Sequence, residues 1–267
     1  MIPSPSKILH YIVAYLKYYF SAGNEHSVHS PFVFSLLTQA LYLKVKPPVF
    51  EKIEGVRKKL LRDQRVINTV DLGAGSSFDG KVKSRTVAQT AAWFAKPPKY
   101  GRALHRITAH LRPSVMVELG TSLGISSLYQ ASGNPNGTLY TIEGCGETAA
   151  IAEENFRSAG ISNIRTITGN FDTELPELLR TLRRIDYAFV DGNHTYAATI
   201  KYFQLLKAKC HEDSVLVFDD INWSEGMQKA WHEIKADPDV TITIDFFALG
   251  LVCFNKGFSK QNFVLKL

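Results

Sequence analysis

From residue 114 onward, short apolar runs alternate regularly with amphipathic segments. The apolar runs predict strands over 114–119, 138–143, 163–168, 185–190 and 214–218, and the segments between them predict helices over 125–131, 147–159, 174–184, 196–208 and 225–235. Such alternation gives parallel strands with right-handed crossovers, hence an α/β doubly wound sheet. Further strand-like runs over 240–246, 249–254 and 262–267 have no helix between them. The pattern therefore predicts a mostly parallel, seven-stranded sheet with an antiparallel edge hairpin.

The pattern before residue 111 is different, because helix-like segments dominate it. We expect helices over 8–20, from 26 up to the break at Pro47–Pro48, and over 49–65, 85–95 and 100–111. The segment over 8–20 is rich in tyrosine, which favours a helix that docks on the domain or on a dimer partner over one that lies on a membrane. We accordingly divide the chain into a mostly helical N-terminal extension over 1–110, a substrate lid or oligomer contact, and a second domain over 111–267.

Composition indicates a globular chain, with 45% hydrophobic and 21% charged residues among 267. The net charge of +6 is unevenly divided: residues 1–110 carry a balance of +11 and residues 111–267 a balance of −5. This division does not favour nucleic acid as the partner of the acidic half. Three widely spaced cysteines indicate a reducing compartment, and no apolar run is long enough to span a bilayer, so we expect a cytoplasmic protein.

Two segments, 70–76 and 117–124, compete as the loop that receives a cofactor, because each follows a strand-like run with an acidic residue and then glycines. The second leads into a helix and then into a strand that ends at Glu143, which suits the ribose hydroxyls of a nucleoside. The first leads into a polar stretch and is interpreted as a structural turn. The second loop lacks the Gly-x-Gly-x-x-Gly spacing of dinucleotide sites, which argues against NAD and FAD.

Five ordered motifs now define a resemblance over residues 112–255. They are Glu118-Leu-Gly-Thr-Ser-Leu-Gly-Ile-Ser, Tyr140-Thr-Ile-Glu, Gly169-Asn-Phe-Asp, Phe189-Val-Asp-Gly-Asn-His and Val217-Phe-Asp-Asp-Ile-Asn-Trp. Together they resemble class I S-adenosylmethionine-dependent methyltransferases with a Rossmann-like fold, especially the catechol and caffeoyl-CoA type O-methyltransferases. The resemblance implies methyl transfer to a hydroxyl of a small molecule.

The resemblance also implies roles for individual residues. Those implied to contact S-adenosyl-L-methionine are Glu118, Gly120, Thr121, Ser122, Gly124, Glu143, Asn170, Phe171, Asp172 and Asp191. A divalent cation, Mg²⁺ above all, would be held by Asp191, Asp219 and Asp220, with Asp191 and His194 as the catalytic residues and His194 as the base.

Two positions depart from the family pattern, since Asp220 replaces an asparagine and His194 a lysine. An acidic pair beside a histidine is also similar to metal-dependent sugar O-methyltransferases and to cephalosporin-hydroxylase-like proteins. The aspartates equally fit a structural role as turn caps. Three readings of function stay open: a small-molecule methyltransferase, which we favour, a methyltransferase acting on RNA or protein, and a non-catalytic binding protein. A homodimer is compatible with each of them.

Overall fold

The computed structural model describes residues 5–70 and 82–267. The α-helices within these ranges are α1 (Pro5–Ser21), α2 (Pro31–Leu36), α3 (Val49–Leu60), α4 (Val87–Phe94), α5 (Pro98–Leu111), α6 (Ile125–Gly133), α7 (Gly146–Ala159), α8 (Phe171–Thr181), α9 (Tyr196–Lys207) and α10 (Glu225–Ala236). A short 3-10 helix spans Glu25–Ser27, and a π-helical turn over Leu37–Leu41 follows α2. The strands are β1 (Val66–Val70), β2 (Val82–Thr86), β3 (Val115–Leu119), β4 (Thr138–Glu143), β5 (Ile164–Thr168), β6 (Tyr187–Val190), β7 (Val215–Asp219), β8 (Ile242–Asp245), β9 (Leu249–Cys253) and β10 (Gln261–Val264).

The chain folds into two compact units, a one-segment unit over 39–183 and a two-segment unit formed by 1–38 and 184–267. The boundaries of these units do not coincide with the change in net charge near residue 110. The assignment of residues 1–110 to a lid or an oligomer contact stays a prediction.

In the one-segment unit, β4 lies between β3 and β5, and all three strands are parallel. Their register places Glu118 opposite Thr141 and Glu143 opposite Thr168. Because parallel strands end at the same edge of a sheet, the loops that follow the three strands share one edge. Ligands of α/β sheets bind at this carboxyl edge.

In the two-segment unit, the strand order is β10-β8-β9-β7-β6. Strands β6 and β7 are parallel, with Val190 opposite Phe218, so the residues that follow them leave the same edge side by side. Strand β9 is antiparallel to both β7 and β8. The predicted hairpin is thus confirmed, and β10 adds a parallel strand beyond it.

The predicted mostly parallel α/β class is confirmed, with eight strands, β3 to β10, where seven were expected. The expectation was wrong at two places in the front half. The helix expected over 49–65 ends at Leu60, because the Asp63 carboxylate accepts a hydrogen bond from the Arg65 amide (2.9 Å) and turns the chain into β1. The helix expected over 85–95 begins at Val87, because Thr86 and Gln89 form a reciprocal capping box. Strands β1 and β2 form an antiparallel ribbon there.

Helix α1 packs against the turn between β8 and β9. The rings of Tyr11, Tyr15 and Tyr18 lie 5.0, 5.0 and 5.3 Å from that of Phe247. The Tyr18 hydroxyl donates to the Leu265 carbonyl (2.7 Å), and Gly23 forms a bridge with Leu265 just after the helix. This packing agrees with the docking interpretation of the tyrosine-rich segment.

Two further expectations concern the first glycine segment and a membrane-spanning helix. Of the first glycine segment, 70–76, all but residue 70 lies outside the described residues, so its interpretation as a turn stays a prediction. Among the described residues, no helix is both long enough and apolar enough to cross a membrane.

Candidate functional site

The loop between β3 and α6 is held in a tight, left-handed shape. Gly120, Ser122 and Gly124 have φ values of 97°, 47° and 82°, a region that side chains with a Cβ rarely adopt. A Cβ atom on Gly124 would lie 2.5 Å from Cε1 of Phe156 on α7, so only glycine fits there. The loop therefore brings bare backbone to the start of α6, where unpaired amides and the helix dipole favour a polar or anionic ligand group.

Glu143, at the end of β4, forms hydrogen bonds with this loop and with the loop that follows β4. Its Oε2 accepts a hydrogen bond from the Ser122 amide (2.8 Å) and its Oε1 accepts one from the Cys145 amide (3.0 Å). A carboxylate oxygen has two lone pairs and can accept more than one hydrogen bond. The partly exposed Glu143 carboxylate is thus held in a fixed orientation between the two loops.

Glu118, in contrast, is completely buried one residue before the loop. Its carboxylate accepts hydrogen bonds from Ser127, from Gln130 (2.6 Å) and from Thr141 (2.7 Å). The Thr141 hydroxyl also lies 2.6 Å from that of Thr121 in the loop. Glu118 is therefore placed to fix α6, β4 and the loop relative to each other.

The buried position of Glu118 predicts a pH-dependent contribution to stability. Burial raises the pKa of Glu118 above its ordinary value of 4.5, and the hydrogen bonds oppose this rise. A raised pKa favours the folded state below pH 4.5, and this favourable contribution is lost as pH rises from 4.5 to the folded value.

Glu118→Gln removes the titration while keeping a polar group of the same size. We expect the stability of Glu118→Gln relative to wild type to be higher at pH 8 than at pH 5. Urea unfolding of both proteins at the two pH values gives the free energies of unfolding that are compared. The exposed Glu153→Gln serves as the control and should show no such shift. An equal difference at both pH values would contradict the prediction.

The segment that follows β5 caps helix α8. Asn170 Oδ1 accepts from the Asp172 amide (2.8 Å), which makes Asn170 the N-cap. Phe171 is half-buried and Asp172 is exposed in the first turn. The helix begins three residues earlier than the sequence pattern indicated, because the capping asparagine precedes the apolar face.

In the two-segment unit, three residues that could ligate a metal come together. Asp191 follows β6, Asp219 ends β7, and His194 lies in the loop before α9; each offers one ligand atom, and these atoms all lie within 4.8 Å of one another. Asp219 is only 3% exposed, whereas Asp191 and His194 are partly exposed. His194 Nε2 lies 3.6 Å from Asp191 Oδ1. The cluster is thus accessible to solvent at Asp191 and His194 and buried at Asp219.

Asp220 stands outside this trio, in a left-handed conformation with φ 54°. Its Oδ2 lies 3.9 Å from His194 Nε2, and its carbonyl accepts from the Trp223 amide (2.9 Å). The Trp223 side chain is 42% exposed, and its ring lies 5.9 Å from Tyr11. Asp220 therefore borders the cluster and shapes the turn that carries Trp223.

Comparison with known proteins now bears on both groups of residues. Residues 117–221 match the family model described as "Methyltransferase domain". This region of the chain is therefore similar to a methyltransferase domain. The matched range includes Glu118, Glu143, Asp191 and Asp219, so the resemblance to class I methyltransferases is confirmed.

Curated proteins similar to this chain are O-methyltransferases by name. The chain is 34% identical over 117 residues to the transmembrane O-methyltransferase of Homo sapiens, covering 42% of this chain and 39% of that one. It is 28% identical over 127 residues to the catechol O-methyltransferase of Niastella koreensis, covering 46% and 57%. The chain thus spans less than half the length of the transmembrane O-methyltransferases it matches.

The solved structure of the O-methyltransferase TomG from Streptomyces achromogenes, a complex with S-adenosylmethionine, superposes with a TM-score of 0.57. It is 18% identical and covers 84% of this chain and 94% of its own. This likeness establishes that the Rossmann-like methyltransferase fold extends well beyond the matched motifs.

Sequence reasoning did not identify Ser127, Gln130 and Thr141 as hydrogen-bond partners of Glu118. A weak signal was available, because Ser127 and Gln130 are polar residues three positions apart in α6, a spacing that places them on one side of a helix. The strand register that places Thr141 opposite Glu118 had no such signal.

Proposed function

We propose that the protein transfers the methyl group of S-adenosyl-L-methionine to a hydroxyl of a small molecule. The observation that carries the proposal is Glu143, whose carboxylate is fixed by the Ser122 amide beside a loop that only glycine can form. A nucleoside needs both features together, a close backbone approach and an acceptor for two ribose hydroxyls. The named activity of the O-methyltransferase relatives supports the same reaction.

The cofactor-binding residues divide by the part of S-adenosylmethionine they would contact. We assign the ribose to Glu143, the methionine end to the loop of Gly120, Thr121, Ser122 and Gly124, and the adenine to Phe171 and Asp172 at the start of α8. Asn170 shapes that start as its cap. Glu118 is a positioning residue, because it is buried behind the loop. Asp191 belongs to the cation cluster in this assignment.

The donor set of the cluster fits a divalent cation. Two carboxylates and one imidazole suit Mn²⁺ or a related transition metal at least as well as Mg²⁺, which prefers oxygen ligands. We therefore assign Asp191, His194 and Asp219 as the ligands, with Asp220 bordering them. His194 serves as a ligand here and not as the base, because the same Nε2 atom faces both neighbouring carboxylates. When bound, such a cation lowers the pKa of the acceptor hydroxyl and orients its oxygen.

In the proposed reaction, the acceptor oxygen attacks the methyl carbon in line with the carbon–sulfur bond. The bond to sulfur would break, the hydroxyl proton would pass to solvent water, and S-adenosylhomocysteine would leave. Trp223, which is partly exposed beside Asp220, offers a flat apolar face to an aromatic acceptor. The three cysteines are unpaired, and we propose a reducing, cytoplasmic setting.

The proposal is tested with the full chain by calorimetry and by a transfer assay. We expect S-adenosylhomocysteine to bind with a micromolar dissociation constant, and labelled methyl groups to pass to 3,4-dihydroxybenzoate in the presence of Mn²⁺. Chelation should stop transfer while cofactor binding persists. No binding of S-adenosylhomocysteine at millimolar concentration would overturn the proposal.

A further inference from the structure

Helix α1 exposes its most apolar face. Leu9, Ile12, Val13, Leu16, Tyr19 and Phe20 recur at helical spacing, and all are exposed, with Leu9 at 63% and Phe20 at 83%. The opposite face, which contacts Phe247, consists of the small Ala14 and of tyrosines whose hydroxyls are polar. Docking on the two-segment unit therefore accounts for the inner face and leaves the outer one unexplained.

The charged residues of helix α1 are all basic. Residues 1–24 contain Lys7 and Lys17 and neither aspartate nor glutamate. Lys17 is exposed on the helix, and the ammonium group of Lys266 lies 5.5 Å from the centre of the Tyr19 ring. An apolar stripe with tyrosines and a cationic border is complementary to the surface of an anionic bilayer, where apolar side chains enter the acyl region and lysines meet phosphate.

The dimensions of the stripe favour a lipid surface over a second copy of the chain. Its six partly exposed side chains present on the order of 600 Å², less than the ~800 Å² that each partner of a standard interface buries. A symmetric pairing of two such helices would also bring lysines together with no acidic residue of α1 to neutralise them. A helix of 17 residues is about 25 Å long, shorter than the ~30 Å hydrocarbon core of a bilayer, so the surface of the bilayer is the geometry that suits it.

We propose that α1 binds the surface of anionic membranes through Leu9, Ile12, Val13, Leu16, Tyr19 and Phe20, and that the protein acts there as a peripheral enzyme. The inner face of the helix stays docked on Phe247. Binding does not depend on the cofactor site, and it raises the local concentration of the enzyme at acceptors that partition into the bilayer.

The test is co-sedimentation of the full chain with sucrose-loaded vesicles. We expect binding to vesicles of phosphatidylcholine and phosphatidylglycerol at 3:1, weaker binding to pure phosphatidylcholine, and partial release by 0.5 M salt. The double variant Leu16→Ser/Phe20→Ser should lower the partition coefficient at least tenfold, because two apolar side chains no longer enter the lipid. Lys17→Glu should weaken binding to the anionic vesicles alone.

The matched control is Trp93→Ser/Phe94→Ser, which removes two comparably exposed aromatic residues from the one-segment unit. It should bind vesicles like wild type, and thermal unfolding should show that both double variants are folded. Absence of binding to anionic vesicles, or equal binding by Leu16→Ser/Phe20→Ser, would overturn the proposal. The proposal would also be overturned if light scattering without lipid showed that wild type is a dimer and that Leu16→Ser/Phe20→Ser is a monomer.

Discussion

Replacement of Glu143 by alanine should weaken the binding of S-adenosylhomocysteine at least 100-fold. In the proposed complex, the ribose hydroxyls lose two charge-assisted hydrogen bonds to the carboxylate, each worth about 1.5–3 kcal/mol. The Ser122 and Cys145 amides lose their acceptors as well, so the loop is no longer held in the shape that receives the cofactor. Titration calorimetry on the full chain measures the change directly.

Two further variants separate charge from shape at Glu143. Glu143→Gln keeps one acceptor oxygen but turns an NH₂ group toward an amide donor, so its affinity should fall between those of wild type and Glu143→Ala. Glu153→Gln, an exposed position on α7, should bind like wild type. A dissociation constant for Glu143→Ala within threefold of wild type, with unchanged circular dichroism, would remove Glu143 from the cofactor site.

The second large effect is expected at Asp219. Asp219→Asn should abolish measurable binding of Mn²⁺ and lower the rate of methyl transfer by about 10³-fold, because the buried carboxylate is the ligand that supplies charge from the buried side of the cluster. Affinity for S-adenosylhomocysteine should be unchanged. Calorimetry with Mn²⁺ and the transfer assay together give both values.

Asp220→Asn is the matched control, since it makes the same chemical change one residue later and outside the trio. We expect a loss of tenfold or less in rate and little change in affinity for Mn²⁺. His194→Ala should lower that affinity at least tenfold if the ring is a ligand. Equal effects of Asp219→Asn and Asp220→Asn on Mn²⁺ binding would contradict the assignment of the cluster.

The sequence correctly predicted the position of elements whose apolar periodicity corresponds to a buried face. Strand β4 occurs over the predicted residues, and α7 ends at the glycine that the pattern indicated, because both are anchored by a buried apolar face and by a residue suited to ending the element. The ribbon of β1 and β2 was partly missed. Its strands are rich in polar residues, and basic residues such as Lys83 and Arg85 resemble a solvated helix in a linear pattern.

Prediction of the site was limited by register and by side-chain direction. Motif spacing placed Glu118 near the cofactor, whereas the structure turns its carboxylate into the protein, toward Ser127, Gln130 and Thr141. Likewise, Asp219 and Asp220 are adjacent in sequence, yet only the first joins Asp191 and His194. The left-handed backbone at Asp220 separates the two, and no pattern of residue types indicated that turn.

The contact between Tyr18 and Leu265 joins positions 247 residues apart and so sets an order of events during synthesis. Helix α1 is translated before the strand that completes its docking site. At about 5–20 residues per second, the helix waits on the order of ten seconds or more with both faces uncovered. During that interval the tyrosine-rich face of α1, which later packs on Phe247, is exposed and available to chaperones.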